Sequence, residues 1–237
     1  MTTRYNNKFY ATRDEESRYS AQVIGRIVRE YINPSSVVDV GCGVGTWLKV
    51  IAESGVEDIV GIEGEWVKDD AMVIPPDKVL RKDITSEFSI NRQFDLAISL
   101  EVAEHISSDR SNQYLDNLTA LAPVILFSAA IPLQGGAHHV NEQWPTYWQE
   151  KFIARNFLLF DCIRPRIWND AAIGVWYAQN SFLYVRRDKT DLFPALRPYS
   201  TSNPMIDIVH PRFYQFKLAT WPVMRALRNR IRRFIKK

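Results

Sequence analysis

The run Val37-Val38-Asp39-Val40, followed by Gly41-Cys42-Gly43-Val44-Gly45-Thr46-Trp47-Leu48, constrains this chain more than any other stretch. A β-branched apolar run predicts a buried strand, the alternating glycines a sharp turn, and the apolar spacing from Thr46 to Glu53 a helix. Strand, glycine turn and helix together open a nucleotide-binding α/β sheet. Glycine takes φ > 0 and lets a ligand approach the backbone, and the helix aims its first N–H groups into the same crevice. Thr46 stands where the dinucleotide fingerprint wants a third small residue, and no Gly-Lys-Ser/Thr follows, which excludes a P-loop.

A chain of 237 residues holds one α/β domain with modest additions. Two cysteines, Cys42 and Cys162, are too few for a disulfide framework and fit a reducing compartment. Met1 to Tyr10 is polar, unlike a signal peptide, and no apolar run is long enough to span a bilayer. The expected location is the cytoplasm, with peripheral attachment at the inner membrane face as an option for the tail. The net charge of +3 hides an asymmetry: Pro211–Lys237 carries nine Lys/Arg and no acid, leaving 21 basic against 27 acidic groups elsewhere.

Residues 1–16 read as a polar lead-in or lid, 17–190 as the main domain, and 191–237 as a proline-spotted linker and basic tail. An amphipathic helix is predicted from Glu15 to Tyr31, with Ala21, Ile24, Ile27, Val28 and Tyr31 on one face. Strands follow at Ser36–Val40, Asp58–Ile62, Val79–Arg81, Phe94–Leu100 and Pro123–Ser128, with helices at Asp109–Leu121 and Trp144–Asn156. Phe157–Ile163 and Ser181–Val185 read as a closing antiparallel pair. Glu63, some 20 positions after the glycine turn, is placed to accept hydrogen bonds from the ribose hydroxyls of an adenosine, in NAD or in other nucleotides.

The glycine turn, with Phe94-Asp95-Leu96 and Glu101-Val102-Ala103-Glu104-His105, resembles class I S-adenosylmethionine-dependent methyltransferases over residues 17–186. The resemblance implies a Rossmann-like α/β fold: a seven-stranded, mostly parallel sheet with helices on both faces and an antiparallel last pair. It implies S-adenosylmethionine as cofactor, S-adenosylhomocysteine as product, and cofactor contacts at Asp39, Gly41, Gly43, Glu63, Asp83 and Glu101. Their neighbours Cys42, Gly64, Ile84 and Leu100 complete the expected cofactor site, with Ile84 against the adenine ring. Asp83 is alternatively a cap on the following turn. The segment Ser17-Arg18-Tyr19-Ser20 corresponds to one that closes over the cofactor in these enzymes. Ser17–Ala21 and the loop Gly135–Pro145 resemble more narrowly the methyltransferases of bacterial polysaccharide and glycan-modification pathways.

A sulfonium favours carboxylates nearby, which suits Glu101 and Glu104. The long loop Ala129–Pro145 leaves the C-terminal edge of the sheet, where such folds bind ligands, and carries His138 and His139 as candidate general bases. His139 is preferred; His105 either orients a ligand or caps a helix. Asn141, Glu142, Trp144, Trp168, Trp176 and Tyr177 offer the aromatic and amide groups of a carbohydrate site, although a packed loop also contains such residues. Histidines and acids of this loop offer metal ligands, but their spacing matches no familiar set, so no metal residue is assigned and a divalent metal is not favoured. The expected reaction is O-methylation of a sugar hydroxyl in a glycan, glycolipid or nucleotide-sugar. Methylation of RNA or a small metabolite, and an inactive scaffold that binds the cofactor, are the alternatives. The apolar stripe Met224, Leu227, Ile231 and Phe234, set among Arg225, Arg228, Arg230, Arg232, Arg233, Lys236 and Lys237 with Trp221 near its start, suits an anionic membrane surface better than nucleic acid. The oligomeric state is not legible.

Overall fold

The computed structural model describes residues 7–200 and 205–220, with side chains from residue 17 onward. The basic tail from Trp221 to Lys237 and the start of the lead-in lie outside the described residues. Seven strands form one sheet: β1 Ser36–Val40, β2 Asp58–Glu63, β3 Val79–Arg81, β4 Leu96–Leu100, β5 Val124–Ser128, β6 Phe157–Phe160 and β7 Phe182–Arg186. Their order is β3-β2-β1-β4-β5-β7-β6. Six strands run the same way and β7 alone is reversed, pairing antiparallel with both β5 and β6. The order reverses direction at β1, and ligands bind beyond the carboxyl ends of strands at such a switch point.

Alternation along the strands divides the core. Val37 in β1, Leu96 and Ile98 in β4 and Leu126 in β5 face one layer; Val38, Val40, Ala97, Ile125 and Phe127 face the other. The first layer receives α1 (Asn7–Tyr31), α2 (Thr46–Glu53), α5 (Arg164–Ile167) and α6 (Val175–Asn180). The second receives α3 (Ser111–Leu121) and α4 (Pro145–Ile153), with Tyr114, Leu118, Trp148 and Phe152 buried between. A last helix, α7 (Pro211–Thr220), packs Phe213 inward and leaves Tyr214 and Phe216 exposed.

Ala21, Ile24, Ile27 and Val28 form the buried face of α1 as the spacing requires, but the helix begins at Asn7, eight residues ahead of the expected Glu15. The region 165–180, read as loop, contains α5 and α6. Among the described residues, no helix is long and apolar enough to cross a membrane.

Candidate cofactor crevice and acceptor cluster

The turn after β1 is built from three left-handed glycines, Gly41 (φ 80°), Gly43 (φ 56°) and Gly45 (φ 90°). Gly41 and Cys42 donate N–H bonds back to the Ile62 carbonyl at the end of β2, and Lys49 N–H closes the first helical turn on Gly45 O. The three glycines serve different purposes. A Cβ on Gly41 would lie 2.7 Å from Val102 Cγ2, and one on Gly45 2.7 Å from Ile74 Cγ1, so both are packed against side chains. A Cβ on Gly43 would meet nothing within 4 Å: here the backbone is bare and faces open space. Gly45→Ala is therefore expected to lower stability by at least about 2 kcal/mol, from left-handed strain plus the Ile74 clash. Gly43→Ala, losing only about 1 kcal/mol, is expected to weaken cofactor binding instead. Thermal melting and ligand titration of the two variants separate the effects; equal behaviour in both assays contradicts this division.

Glu63 ends β2 directly beside that bare backbone. Its carboxylate accepts the Gly43 N–H at 2.7 Å and the Gly64 N–H at 2.8 Å, which places it beside the crevice-lining Gly43. Burial raises its pKa, and these two amides and Arg81 oppose the rise. Ser17, Asp39, Gly43, Trp47, Leu100 and Tyr177 line the crevice itself. Ser17 Oγ lies 3.4 Å from the Tyr177 hydroxyl, and Trp47 Nε1 donates to the same hydroxyl at 3.4 Å. Tyr177 thus joins α1, α2 and α6 over the cofactor side, whereas the sequence placed it with the acceptor. An apolar gap between α1 and the sheet, near Val28, Pro34 and Val56, carries little chemistry.

Asp39 is 4% exposed, and burial first, then the charge of Glu63, pushes its carboxyl up to about 8 from 3.8. A folded-state pKa above the unfolded one means that the folded chain holds the extra proton between these values. Stability is then greatest below about pH 4 as far as this group is concerned and is lost as pH rises toward 8. The slope approaches roughly 1.4 kcal/mol per pH unit. We expect Asp39→Asn to flatten the decline in melting temperature between pH 5 and 8; a parallel decline in both proteins overturns the assignment.

Beyond Leu100 the chain enters Glu101, a non-glycine residue held at φ 56°. Such strain persists only where the surroundings fix it. Gln134 Nε2 donates to Glu101 Oε2 at 2.7 Å, Asn180 Nδ2 to Oε1 at 3.3 Å, and the backbone N–H is taken by Ser128. Asn180 also donates to Gln134 Oε1 at 3.0 Å, and Gln179 donates to Asn180 at 3.0 Å. This amide clamp was absent from the sequence reading. Burial raises the Glu101 pKa while Ser128, Asn180, Gln134 and the His139 ring oppose the rise.

The loop after β5 folds back onto this strand end. Val140 and Asn141 N–H both bond the Glu104 carbonyl, at 2.9 and 3.0 Å. His139 Nδ1 lies 2.8 Å from Glu142 Oε1, and its Nε2 lies 3.8 Å from Glu104 Oε1. A carboxylate on Nδ1 fixes the proton there and leaves the Nε2 lone pair facing Glu104. The His105 and His139 rings meet edge to face at 4.9 Å. Gly136 permits this arrangement, because a Cβ there would fall 2.2 Å from His139 Nε2. His138 is exposed, and its left-handed backbone (φ 64°) turns its carbonyl toward His105 Nδ1 at 3.3 Å.

Several expected site residues have other tasks. Asn141 is buried and bonded to Ser111 and Gln143, so its amide supports the loop and does not face an acceptor. Trp168 packs on His210, which the sequence reading passed over and which returns a bond to the Trp168 carbonyl at 2.8 Å. Trp144 precedes α4 at the surface, and Trp176 lies across Gly174 against the core. Asp83 accepts from Thr85 N–H and Oγ1 and from Ser86 Oγ, the turn-capping arrangement, with Ile84 buried beside it. Cys42 turns its sulfur onto Gly61, and Gly64 lies under the Trp66 ring.

The sheet order with its one reversed strand, and a bare glycine turn facing a strand-end carboxylate, define the class I methyltransferase architecture. The chain belongs to the methyltransferase domain family, whose model matches residues 12–159. Solved structures share the fold at low identity. A crystal structure of DesVI from Streptomyces venezuelae is 14% identical, with a TM-score of 0.57 over 75% of this chain and 95% of that one. CalS10, an amino pentose methyltransferase of calicheamicin biosynthesis from Micromonospora echinaspora with bound S-adenosylmethionine, is 12% identical at a TM-score of 0.55 over 78% and 99%. The plantazolicin methyltransferase BpumL, bound to S-adenosylhomocysteine, is 14% identical at 0.54 over 76% and 88%. A search of curated proteins found no match.

Proposed function

We propose that this protein is an S-adenosylmethionine-dependent methyltransferase that methylates a hydroxyl of a sugar-containing acceptor. The observation that carries this reading is spatial. Leu100 lines the cofactor crevice, and Glu101, next in the chain, is bonded by Asn180 of the helix that carries Tyr177 and by Gln134 of the loop that carries His139. Crevice and histidine cluster are therefore two ends of one site.

The residues present fit the donor. Gly43 offers bare backbone, Glu63 a carboxylate for ribose hydroxyls, and Asp39 a buried acid that ionises more readily beside a cation. When bound, S-adenosylmethionine supplies a methyl group on a positively charged sulfur. The chain's own work is to align an acceptor oxygen and loosen its proton. Glu142 holds the Nδ1 of His139, so its Nε2 is the atom presented for that task.

A sugar acceptor suits the small polar groups at the cluster and the solvent-facing Trp144, while Trp168 and Trp176 no longer contribute to it. CalS10 acts on an amino pentose, which makes sugars a reasonable first acceptor class. Methyl-labelled S-adenosylmethionine incubated with nucleotide-sugars, glycans, RNA and small phenols tests the reading. Label in an alkali-stable ether on a sugar supports it; label only in RNA or in amines overturns the acceptor class. The basic tail as a membrane anchor rests on its sequence, charge and apolar stripe together, and liposome sedimentation of the full chain tests it.

A further inference from the structure

Glu104 is 1% exposed, and its Oε2 has no hydrogen-bond partner. The backbone N–H groups of Glu104 and Ala130 bond the carboxyl but leave that oxygen unmatched, and buried acids left partly uncompensated are retained where they are paired or coordinate a metal. Its Oε1 faces His139 Nε2. Among the described residues, Glu104, His105 and His139 bring one ligand atom each within 4.8 Å of the others.

Both imidazoles have the outer contacts that metal ligands have. A ligating histidine donates its second ring N–H to a carboxylate or a carbonyl, which fixes its tautomer. His139 Nδ1 is on Glu142, and His105 Nδ1 is 3.3 Å from the His138 carbonyl. Glu142 is itself steadied by the Gly135 N–H. Neighbouring ligands around an ion with bonds near 2.1 Å lie about 3.0–3.4 Å apart, from octahedral to tetrahedral. The 3.8 Å between Glu104 and His139 is therefore closed by a rotamer adjustment of under an ångström or so.

We propose that Glu104, His105 and His139 bind a divalent cation of the Mn²⁺ or Zn²⁺ type, which holds the acceptor hydroxyl beside the cofactor crevice. Two imidazoles and one carboxylate leave positions open for hydroxyl oxygens, and imidazole ligands favour these ions over Mg²⁺. The inference rests on the hydroxyl-acceptor reading and changes the activating group: Nε2 of His139 coordinates, and the cation polarises the O–H bond. The oxygen then takes the methyl group as its bond to sulfur breaks. The hydroxyl proton passes to water at the exposed His105 side, and the sulfur leaves as a neutral thioether.

The test titrates Mn²⁺ into chelator-treated full-length protein, with free Mn²⁺ followed by electron paramagnetic resonance and Zn²⁺ added as competitor. One ion per chain is expected, displaced by Zn²⁺. Glu104→Gln and His105→Ala should each weaken binding by more than roughly tenfold, and Glu142→Gln by about tenfold. Circular dichroism checks folding; His105 is exposed, so its variant carries the test if Glu104→Gln fails to fold. No binding, or unchanged affinity in the folded variants, overturns the proposal. Methyl transfer that persists in chelator without Mn²⁺ binding removes the cation and leaves the methyltransferase reading intact. An ion bound by the wild type and lost in the variants supports the site even if no hydroxyl acceptor is methylated, and only the acceptor reading then falls.

Discussion

His139→Ala is expected to lower methyl transfer by roughly a hundred- to ten-thousand-fold, the range for loss of a positioned acid–base group. Affinity for S-adenosylhomocysteine stays within about threefold of wild type, because a contact that acts only on the acceptor leaves cofactor binding unchanged. His139 is 13% exposed, lies between Glu142 and Glu104, and is not among the residues lining the cofactor crevice. Stability changes little, since Gly136 already accommodates the ring by omission of a Cβ and its removal opens space at the surface loop. Steady-state kinetics with labelled donor, beside calorimetry with the product, give both readings from one preparation. His138→Ala, with its ring exposed, is the comparison and should retain most of the rate. Equal loss in both variants would contradict the placement of His139.

Glu63→Gln has the opposite signature. The carboxylate accepts backbone N–H bonds from Gly43, which lines the crevice, and from Gly64, and the Trp66 side chain also bonds it. An amide keeps the shape but brings a donor NH₂ against one of these N–H groups, and it accepts less strongly from ribose hydroxyls. A hydrogen bond to a charged group is worth about 1.5–3 kcal/mol, so with the equivalent of one such bond lost the cofactor should bind roughly 10–150-fold more weakly. Turnover at saturating donor recovers toward wild type, because the group contributes the same binding to ground and transition states. Unchanged donor affinity in Glu63→Gln would show that the adenosine lies elsewhere.

The two variants also mark what was legible in the sequence. Strand, glycine turn and Glu63 are local or at fixed spacing, so composition and period disclose them, and the sheet follows from the same alternation. The division of labour among Gly41, Gly43 and Gly45 is not in the pattern, because it depends on Val102 and Ile74 arriving from distant segments. The clamp on Glu101 was missed for the same reason: Gln134 and Asn180 are far from it in sequence and have no motif of their own. Short α5 and α6, of 4 and 6 residues, carry too few positions to show a helical period. The acceptor aromatics were overread, since Trp168 and Trp176 are surface-proximal packing residues whose partners, His210 and Gly174, only the fold supplies.

The histidine cluster was half legible. His139 and Glu142 are three residues apart in one loop and suggested chemistry by themselves. That Glu104 is sealed beneath them, with one oxygen unpartnered, depends on the loop folding back to bond the Glu104 carbonyl through Val140 and Asn141. Sequence spacing therefore did not disclose the group of Glu104, His105 and His139 that the fold brings together.

The central claim is that the crevice beside Gly43 and Glu63 takes S-adenosylmethionine. Calorimetric titration of the purified chain with S-adenosylhomocysteine and, separately, with NAD tests it most directly. One site per chain for the first, lost in Gly43→Ala, and no heat from the second is the predicted result. Binding of NAD alone, or of neither compound in the presence and absence of Mn²⁺, would contradict it.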